Sequence, residues 1–282
     1  MLFGVNLMLF GDTVDENALE RFALIREIGF DGVEVPVFEP DAVDVGAIRS
    51  AARRHGLALT ASGALPPGSR LCGDDAEARR AAENYLRHSI RVVAGLGATV
   101  FCGPFYKPVG QTDPDTPPEV QRAEVAAALR PLADEAHEQG VALAVEPLNR
   151  FETDLLNTVE DGVEFIRDVG SPGAGLLLDT FHMHIEEKDA AGAVRWAAET
   201  GTLAHFHASE NDRGVPGTGQ VRWGDISDAL RDTDYDDWVV LETFNQGNQA
   251  IRRAVSCWRP FYENEEQFMR EGLRFVRSRF GR

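Results

Sequence analysis

Eight times along the chain a short apolar run is followed by a stretch with helical spacing, and this beat leaves few folds open. The runs are "LFGVNLM", "GVEVPVF", "LALTAS", "ATVFCG", "VALAVEP", "AGLLLDT", "LAHFHAS" and "WVVLETF". The helical stretches that follow them cover 15–29, 43–55, 75–96, 118–139, 158–169, 186–200, 224–233 and 264–280. Each run is largely apolar instead of alternating, as parallel strands covered on both faces require. Between runs the apolar residues recur at helical intervals, as in "NALERFALIREIGF". Gly29, Gly56, Gly97, Gly140 and Gly170 stand where those helices should stop. No linker or change of composition separates the units. The pattern predicts an α/β chain that forms a single closed (β/α)₈ TIM barrel over 1–282, with 264–280 as its C-terminal helix. An open dinucleotide-binding sheet fits poorly, because the first strand leads into "FGDTVDE" and not into a G-x-G-x-x-G turn.

Length and composition agree with one large core: 282 residues, 43% of them apolar. The charge balance, 28 basic against 46 acidic residues for a net −18, repels polyanions and argues against a nucleic-acid partner. Cys72, Cys102 and Cys257 are odd in number and widely spaced, so neither a disulfide framework nor a thiolate metal site is expected, and a cytoplasmic setting is. The opening "MLFGVNLMLFG" lacks a basic leader and runs into acidic residues, so it reads as a strand; no run is long enough to span a membrane.

In a parallel barrel the chemistry sits at the carboxyl ends of the strands. The fifth run ends on Glu146, the sixth on Asp179, the seventh on His207 and the eighth on Glu242. One acid at a strand end is usually a helix cap or an ion-pair partner. Three carboxylates and an imidazole converging above one barrel would repel each other unless protons or a cation neutralised them. Such an oxygen-rich set points to Mn²⁺, Mg²⁺ or Co²⁺ before a structural zinc. Glu152, His182 and Arg213 follow these strands in loops leaving the same face, where they could hydrogen-bond a polyol. Taken singly they have ordinary readings: Glu152 could pair with Arg150, and Arg213 with Glu210 or Asp212. His184 and His205 lie close enough in sequence to touch the same site. The segment "GVPGTGQ" has the glycines of a phosphate loop but no lysine, and reads as a tight turn. The Gly- and Pro-rich connections 62–74 and 103–117 are candidates for a lid or pocket wall.

"EPLNRFETD", "LDTFHMHIEE", "HFHASENDRGVPGTGQVRW", "LETF" and "AVSCWRP" together resemble the ketose 3-epimerases, the D-tagatose, D-allulose (D-psicose) and L-ribulose 3-epimerase group of the xylose-isomerase-like barrels. The resemblance is specific between about 141 and 260; the amino-terminal half shares little beyond the strand-helix beat and "GP" at 103–104. It implies Glu146 and Glu242 as catalytic carboxylates that also ligate a metal, with Asp179 and His207 completing the ligands. It further implies Glu152, His182 and Arg213 around the substrate oxygens, Mn²⁺ with Co²⁺ or Mg²⁺ as substitutes, and a homodimer or homotetramer. "ETF" replaces the "EPF" of many relatives and His184 an asparagine, which leaves the metal set intact but opens the choice of ketose. Specificity would then lie with 62–74, 103–117 and Phe244, with Phe105, Tyr106 and Trp223 as further wall candidates.

Epimerisation next to a ketone removes a proton from one face and returns one to the other, so two acid–base groups are needed. On this resemblance Glu146 and Glu242 would supply them, which would explain why a buried strand ends on an acid. An aldose–ketose or hydroxypyruvate isomerase, or an inosose or keto-glycoside lyase, would use the same scaffold and is separated by its product. An apurinic endonuclease would need more metal ligands and a basic groove, neither of which this acidic sequence clearly shows, and a plain sugar-binding barrel would not need paired acids.

Overall fold

The eight apolar runs become eight parallel strands in a computed structural model that describes residues 1–233, 235–247 and 249–281. The expected limit at Arg282 therefore lies outside the described residues. The strands are β1 (Leu2–Asn6), β2 (Gly32–Pro36), β3 (Ala58–Ser62), β4 (Val100–Gly103), β5 (Ala142–Val145), β6 (Ala174–Asp179), β7 (Leu203–Ala208) and β8 (Trp238–Leu241). Each pairs with its sequence neighbour, and β1 pairs with β8 to close the barrel. The outer ring holds α1 (Glu16–Ile28), α2 (Val45–His55), α3 (Ala76–Leu96), α4 (Pro118–Glu138), α5 (Val159–Val169), α6 (Thr180–Glu186), α7 (Ala190–Glu199), α8 (Trp223–Asp232), α9 (Gln249–Ala254) and α10 (Glu265–Phe280). None of the described helices is long and apolar enough to cross a membrane.

Helix ends follow local chemistry. Asp15, Asp44, Asp75 and Asp189 each accept a hydrogen bond from a first-turn N–H, and Thr158 forms a reciprocal capping box with Asp161. Gly29, Gly56, Gly97 and Gly170 cap their helices in the left-handed conformation, whereas Gly140 follows the cap residue Gln139. Two helices differ from expectation. The segment expected to be a loop around His182 is α6, capped by Asp179 immediately at the end of β6. Its seven residues are too few for a 3.6-residue period to declare itself. The same holds for α9.

Strand parity decides what faces the barrel axis. Val100, Cys102, Ala144, Leu177, Trp238 and Val240 pack together inside the ring, while Leu143, Val145, Leu176, Leu178, Val239 and Leu241 pack outward in the main core with the helices. Two residues beyond Ala144, Leu177 and Val240 come Glu146, Asp179 and Glu242, so the same alternation aims all three acids inward. On β7 the register slips: Leu176 pairs with Leu203 but Leu177 with His205. This irregularity brings His205 and His207 into phase with the inward residues of β6, a common use of bulges beside sites.

Candidate active site

At the carboxyl ends of the strands the barrel opens into a cavity of about 290 Å³, near the small end of ligand pockets. Glu146, Glu152, His182, His207, Arg213, Glu242 and Phe244 all line it. Asp179 lies directly behind, fully buried and bonded to Arg213. Glu146, Asp179 and His207 each offer a ligand atom within 4.8 Å of the others. Glu242 falls outside that trio but stands against the same imidazole, its Oε1 3.2 Å from Nδ1 of His207. That Nδ1 is buried and makes no hydrogen bond among the described residues.

Arg213 ties the acids together. Its Nη1 donates to Oδ2 of Asp179 and to Oε2 of Glu242, each at 2.7 Å, and to Oγ of Ser209 at 3.1 Å. Phe181 and Phe244 place their rings 3.9 and 5.0 Å from its guanidinium carbon, a cation–π contact with each. The residue sits at φ 63°, a left-handed conformation that costs energy outside glycine and concentrates at functional sites. Its loop is held by Glu210, whose buried carboxylate accepts N–H bonds from Asn211, Gly217 and Val221 and from the Trp223 indole. Arg213 thus answers Asp179 and Glu242 and not the adjacent acids of its own loop.

His182 completes the polar side. Its Nδ1 accepts from the Asn149 backbone N–H at 3.1 Å, which leaves Nε2, 3.5 Å from Oε1 of Glu146 and 3.3 Å from Nη2 of Arg213, facing the cavity. Asn149 also donates from Nδ2 to Glu152 at 2.9 Å, while Arg150 pairs with Glu186, so Glu152 is linked to the site and not to Arg150. His184 is exposed away from this cavity, and His205 is buried below it.

Burial and charge push these groups apart in acidity, the pattern expected where protons are moved. Glu146 is driven well above the ordinary carboxylate value, first by burial and then by the charges of Glu242 and Asp179. Glu242 moves the same way because burial outweighs His207 and Arg213. For Asp179 burial is overcome by Arg213 and His182, and the carboxyl is held low. Burial, with Arg213, pushes His182 down to about 4.

The opposite wall is apolar. Ser62, Gly63, Leu65 and Pro67 come from the 62–74 connection, and Pro104, Pro108 and Val109 from 103–117, joined by Met8, Phe38 and Ile251. The two connections meet at Gly103, φ 144°, where a Cβ would come within 1.9 Å of the Gly63 carbonyl oxygen. Phe105, Tyr106 and Trp223 do not line the cavity: Phe105 packs on Phe101, Tyr106 donates to the Glu146 carbonyl, and Trp223 is bound to Glu210. Bulky aromatics so close in sequence to a pocket were instead drawn into the core by their apolar area. Sequence reasoning passed over Glu34 on β2, although an acid between Val33 and Val35 in an otherwise apolar strand is a visible signal.

The sequence profile of the xylose isomerase-like TIM barrel family matches residues 22–279. A probable ketose 3-epimerase of Synechocystis sp. is 33% identical over 278 residues, covering 99% of this chain and 96% of that one. The ketose 3-epimerase of Arthrobacter globiformis is 34% identical, covering 90% and 88%. The crystal structure of D-allulose 3-epimerase from Methylomonas sp. in complex with D-allulose superposes with a TM-score of 0.93 at 27% identity, covering 99% of this chain and 97% of that one. The chain thus belongs to the ketose 3-epimerases within the xylose isomerase-like TIM barrel family, and is an enzyme of the isomerase class.

Proposed function

We propose that the protein is a metal-dependent ketose 3-epimerase that interconverts free ketoses at C3, with Glu146 and Glu242 as its proton-transfer groups. The observation that carries this reading is two buried carboxyl groups, both with pKa values pushed above the ordinary carboxylate value, sharing one cavity from strands three places apart around the ring. One removes the C3 proton as a carboxylate. The other, protonated, returns a proton from the opposite face, and burial keeps the carboxyl that has gained a proton from releasing it early. His182 and Arg213 orient the oxygens around C1 to C3, with Glu152 joined to His182 through Asn149.

The residues fit a divalent ion. When ionised, the three carboxylates against one guanidinium leave two negative charges for a cation to offset, and the buried Nδ1 of His207 has no hydrogen-bond partner among the described residues. Glu146, Asp179, His207 and Glu242 would hold the ion, and a hard or borderline cation suits this donor set. We assign Mn²⁺, with Co²⁺ or Mg²⁺ as substitutes; when bound it supplies Lewis-acid stabilisation to charge developing on substrate oxygens. Arg213 is the one Lys or Arg among the described residues lining the cavity, and it is engaged by two carboxylates. That favours a neutral sugar over a phosphorylated one.

The test is to incubate the Mn²⁺-loaded protein with D-fructose, D-tagatose, D-allulose and L-ribulose in deuterated water and follow the products by NMR. Deuterium at C3 with appearance of the C3 epimer is expected. Label at C1 with an aldose product would make it an aldose–ketose isomerase, and no label in any of the four would move the substrate to a modified sugar.

A further inference from the structure

Below the cavity lies a second cluster of polar groups that the proposed reaction does not use. Its centre is Glu34, fully buried on β2. Oε1 faces Nδ2 of Asn6 at 2.9 Å and Nε2 of His207 at 2.8 Å. Oε2 faces Nε2 of His205 at 2.7 Å, Oγ1 of Thr60 at 2.9 Å and Sγ of Cys102 at 3.5 Å. An ionised carboxylate accepts about four hydrogen bonds and donates none. The four groups within 2.9 Å, Asn6, His207, His205 and Thr60, therefore each present a hydrogen to it, and for His207 that hydrogen is on Nε2. The other ring nitrogen, Nδ1, is left toward Glu242, 3.2 Å from its Oε1, with no hydrogen-bond partner among the described residues.

We propose that Glu34 is a positioning residue that holds a proton of His207 on Nε2 and thereby leaves Nδ1, directed at Glu146, Asp179 and Glu242, as the nitrogen that gives up its proton to a metal ion. The inference rests on the metal reading given above, because Nδ1 is the nitrogen that would bind the ion. It extends that reading to the amino-terminal half of the barrel, where the repeated strand gave no site residue. Carboxylates that orient a ligating imidazole through its other nitrogen typically govern metal affinity by roughly 10–100-fold. Asn6 couples the two clusters, since its Nδ2 also lies 3.5 Å from Oε1 of Glu242.

The same side chains could instead ligate an ion themselves, because Glu34, Cys102, His205 and His207 bring ligand atoms within 4.8 Å of one another. The hydrogen-bond reading is favoured because Thr60 and Asn6, which are poor ligands for such a site, occupy acceptor positions on both oxygens of Glu34.

The experiment compares the full chain labelled with ¹⁵N-histidine and its Glu34→Gln variant, measuring Mn²⁺ affinity and stoichiometry by calorimetry and the His207 ring protons by NMR in the Mg²⁺-loaded form. Wild type should show a downfield proton on Nε2 of His207 and one Mn²⁺ per chain. In Glu34→Gln that proton signal should shift and broaden, and the Mn²⁺ dissociation constant should rise about 10–100-fold with secondary structure retained. Glu34→Asp, which keeps the charge, should lose less. If Glu34→Gln does not fold, Thr60→Val, which removes one donor to Glu34, should show the same change on a smaller scale. A folded Glu34→Gln with unchanged Mn²⁺ affinity and an unchanged ring-proton signal would overturn the proposal, as would Nε2 lacking its proton in wild type. Two ions per chain, falling to one in Glu34→Gln, would also overturn it in favour of direct ligation. If wild type binds neither Mn²⁺ nor Mg²⁺, the metal reading fails by itself, while the ring-proton signal in the two proteins still decides whether Glu34 holds His207.

Discussion

Strands β5 to β8 point Glu146, Asp179, His207 and Glu242 into the barrel mouth, whereas β1 to β4 point Asn6, Glu34, Thr60, Ser62 and Cys102 inward. The first group crowds like charges and has Arg213 as its shared counter-ion. The second has one acid, surrounded by donors on both oxygens. The loops above them divide the same way, with Arg213 and His182 over the later strands and proline and aliphatic side chains over the earlier ones. The two halves of the mouth thus differ in kind: one crowds buried carboxylates around a single guanidinium, and the other supplies a carboxylate surrounded by donors, together with apolar surface.

The largest effect should come from the charged half. Glu146→Gln or Glu242→Gln should lower deuterium exchange at C3 by roughly 10²–10⁴-fold; Glu146→Gln should keep Tm near wild type, whereas Glu242→Gln also weakens the ion pair with Arg213 and should lower it. Full exchange in either purified variant would sink the two-carboxylate scheme. Arg213→Ala comes next. It leaves Asp179 and Glu242 buried without their shared cation, a loss of about 3–5 kcal/mol readable in the denaturant midpoint. It should also raise KM, and an unchanged KM would remove Arg213 from contact with substrate.

Acidity sharpens the comparison further. Glu146 and Glu242 bind protons more tightly folded than unfolded, so their contribution is present below the ordinary 4.5 and lost as pH rises through their raised values. His207, raised above 6.5 by Glu34 and Glu242 against the opposing effect of burial, loses its contribution on the same side. Asp179 and Glu34, both held low, contribute above their ordinary 3.8 and 4.5 and lose it as pH falls. His182 and His205, both held below 6.5, favour the folded state as pH rises toward that value and oppose the loss at Glu146 and Glu242, so the metal-free protein should lose stability most clearly above 6.5, where Tm should fall. Mn²⁺ should raise Tm most at the alkaline end, because its ligands must be unprotonated. A Tm without pH dependence above 6.5, followed by scanning fluorimetry with and without Mn²⁺, would contradict this sign. The smallest effect belongs to the apolar half: Phe38→Ala should raise KM roughly fivefold, about 1 kcal/mol, and leave kcat alone. A change confined to kcat would mean that this wall acts on the chemistry.

Much of the site was legible because a strand alternates faces strictly. Once "LAVEP", "LLLD" and "VVLE" are strands, Glu146, Asp179 and Glu242 share parity with Ala144, Leu177 and Val240. His207 was harder, since the register slip on β7 resets which residues face in. The helical placement of His182 and the core positions of Phe105 and Tyr106 escaped because a few residues carry no periodicity of their own.

By itself the sequence determined the barrel and the strand ends that would carry the chemistry, because apolar period and strand parity are local properties of the chain. Closure of the ring decided the partners. Glu34 meets His205 across 171 positions, and Asn6 reaches Glu242 across 236. Arg213 spans Asp179 and Glu242 from a strained turn while bypassing the nearer Asp212. Such pairings depend on which inward side chains the tilted strands bring together, and on which buried charges most need a counter-ion or a donor, and neither is written in the spacing of any one segment.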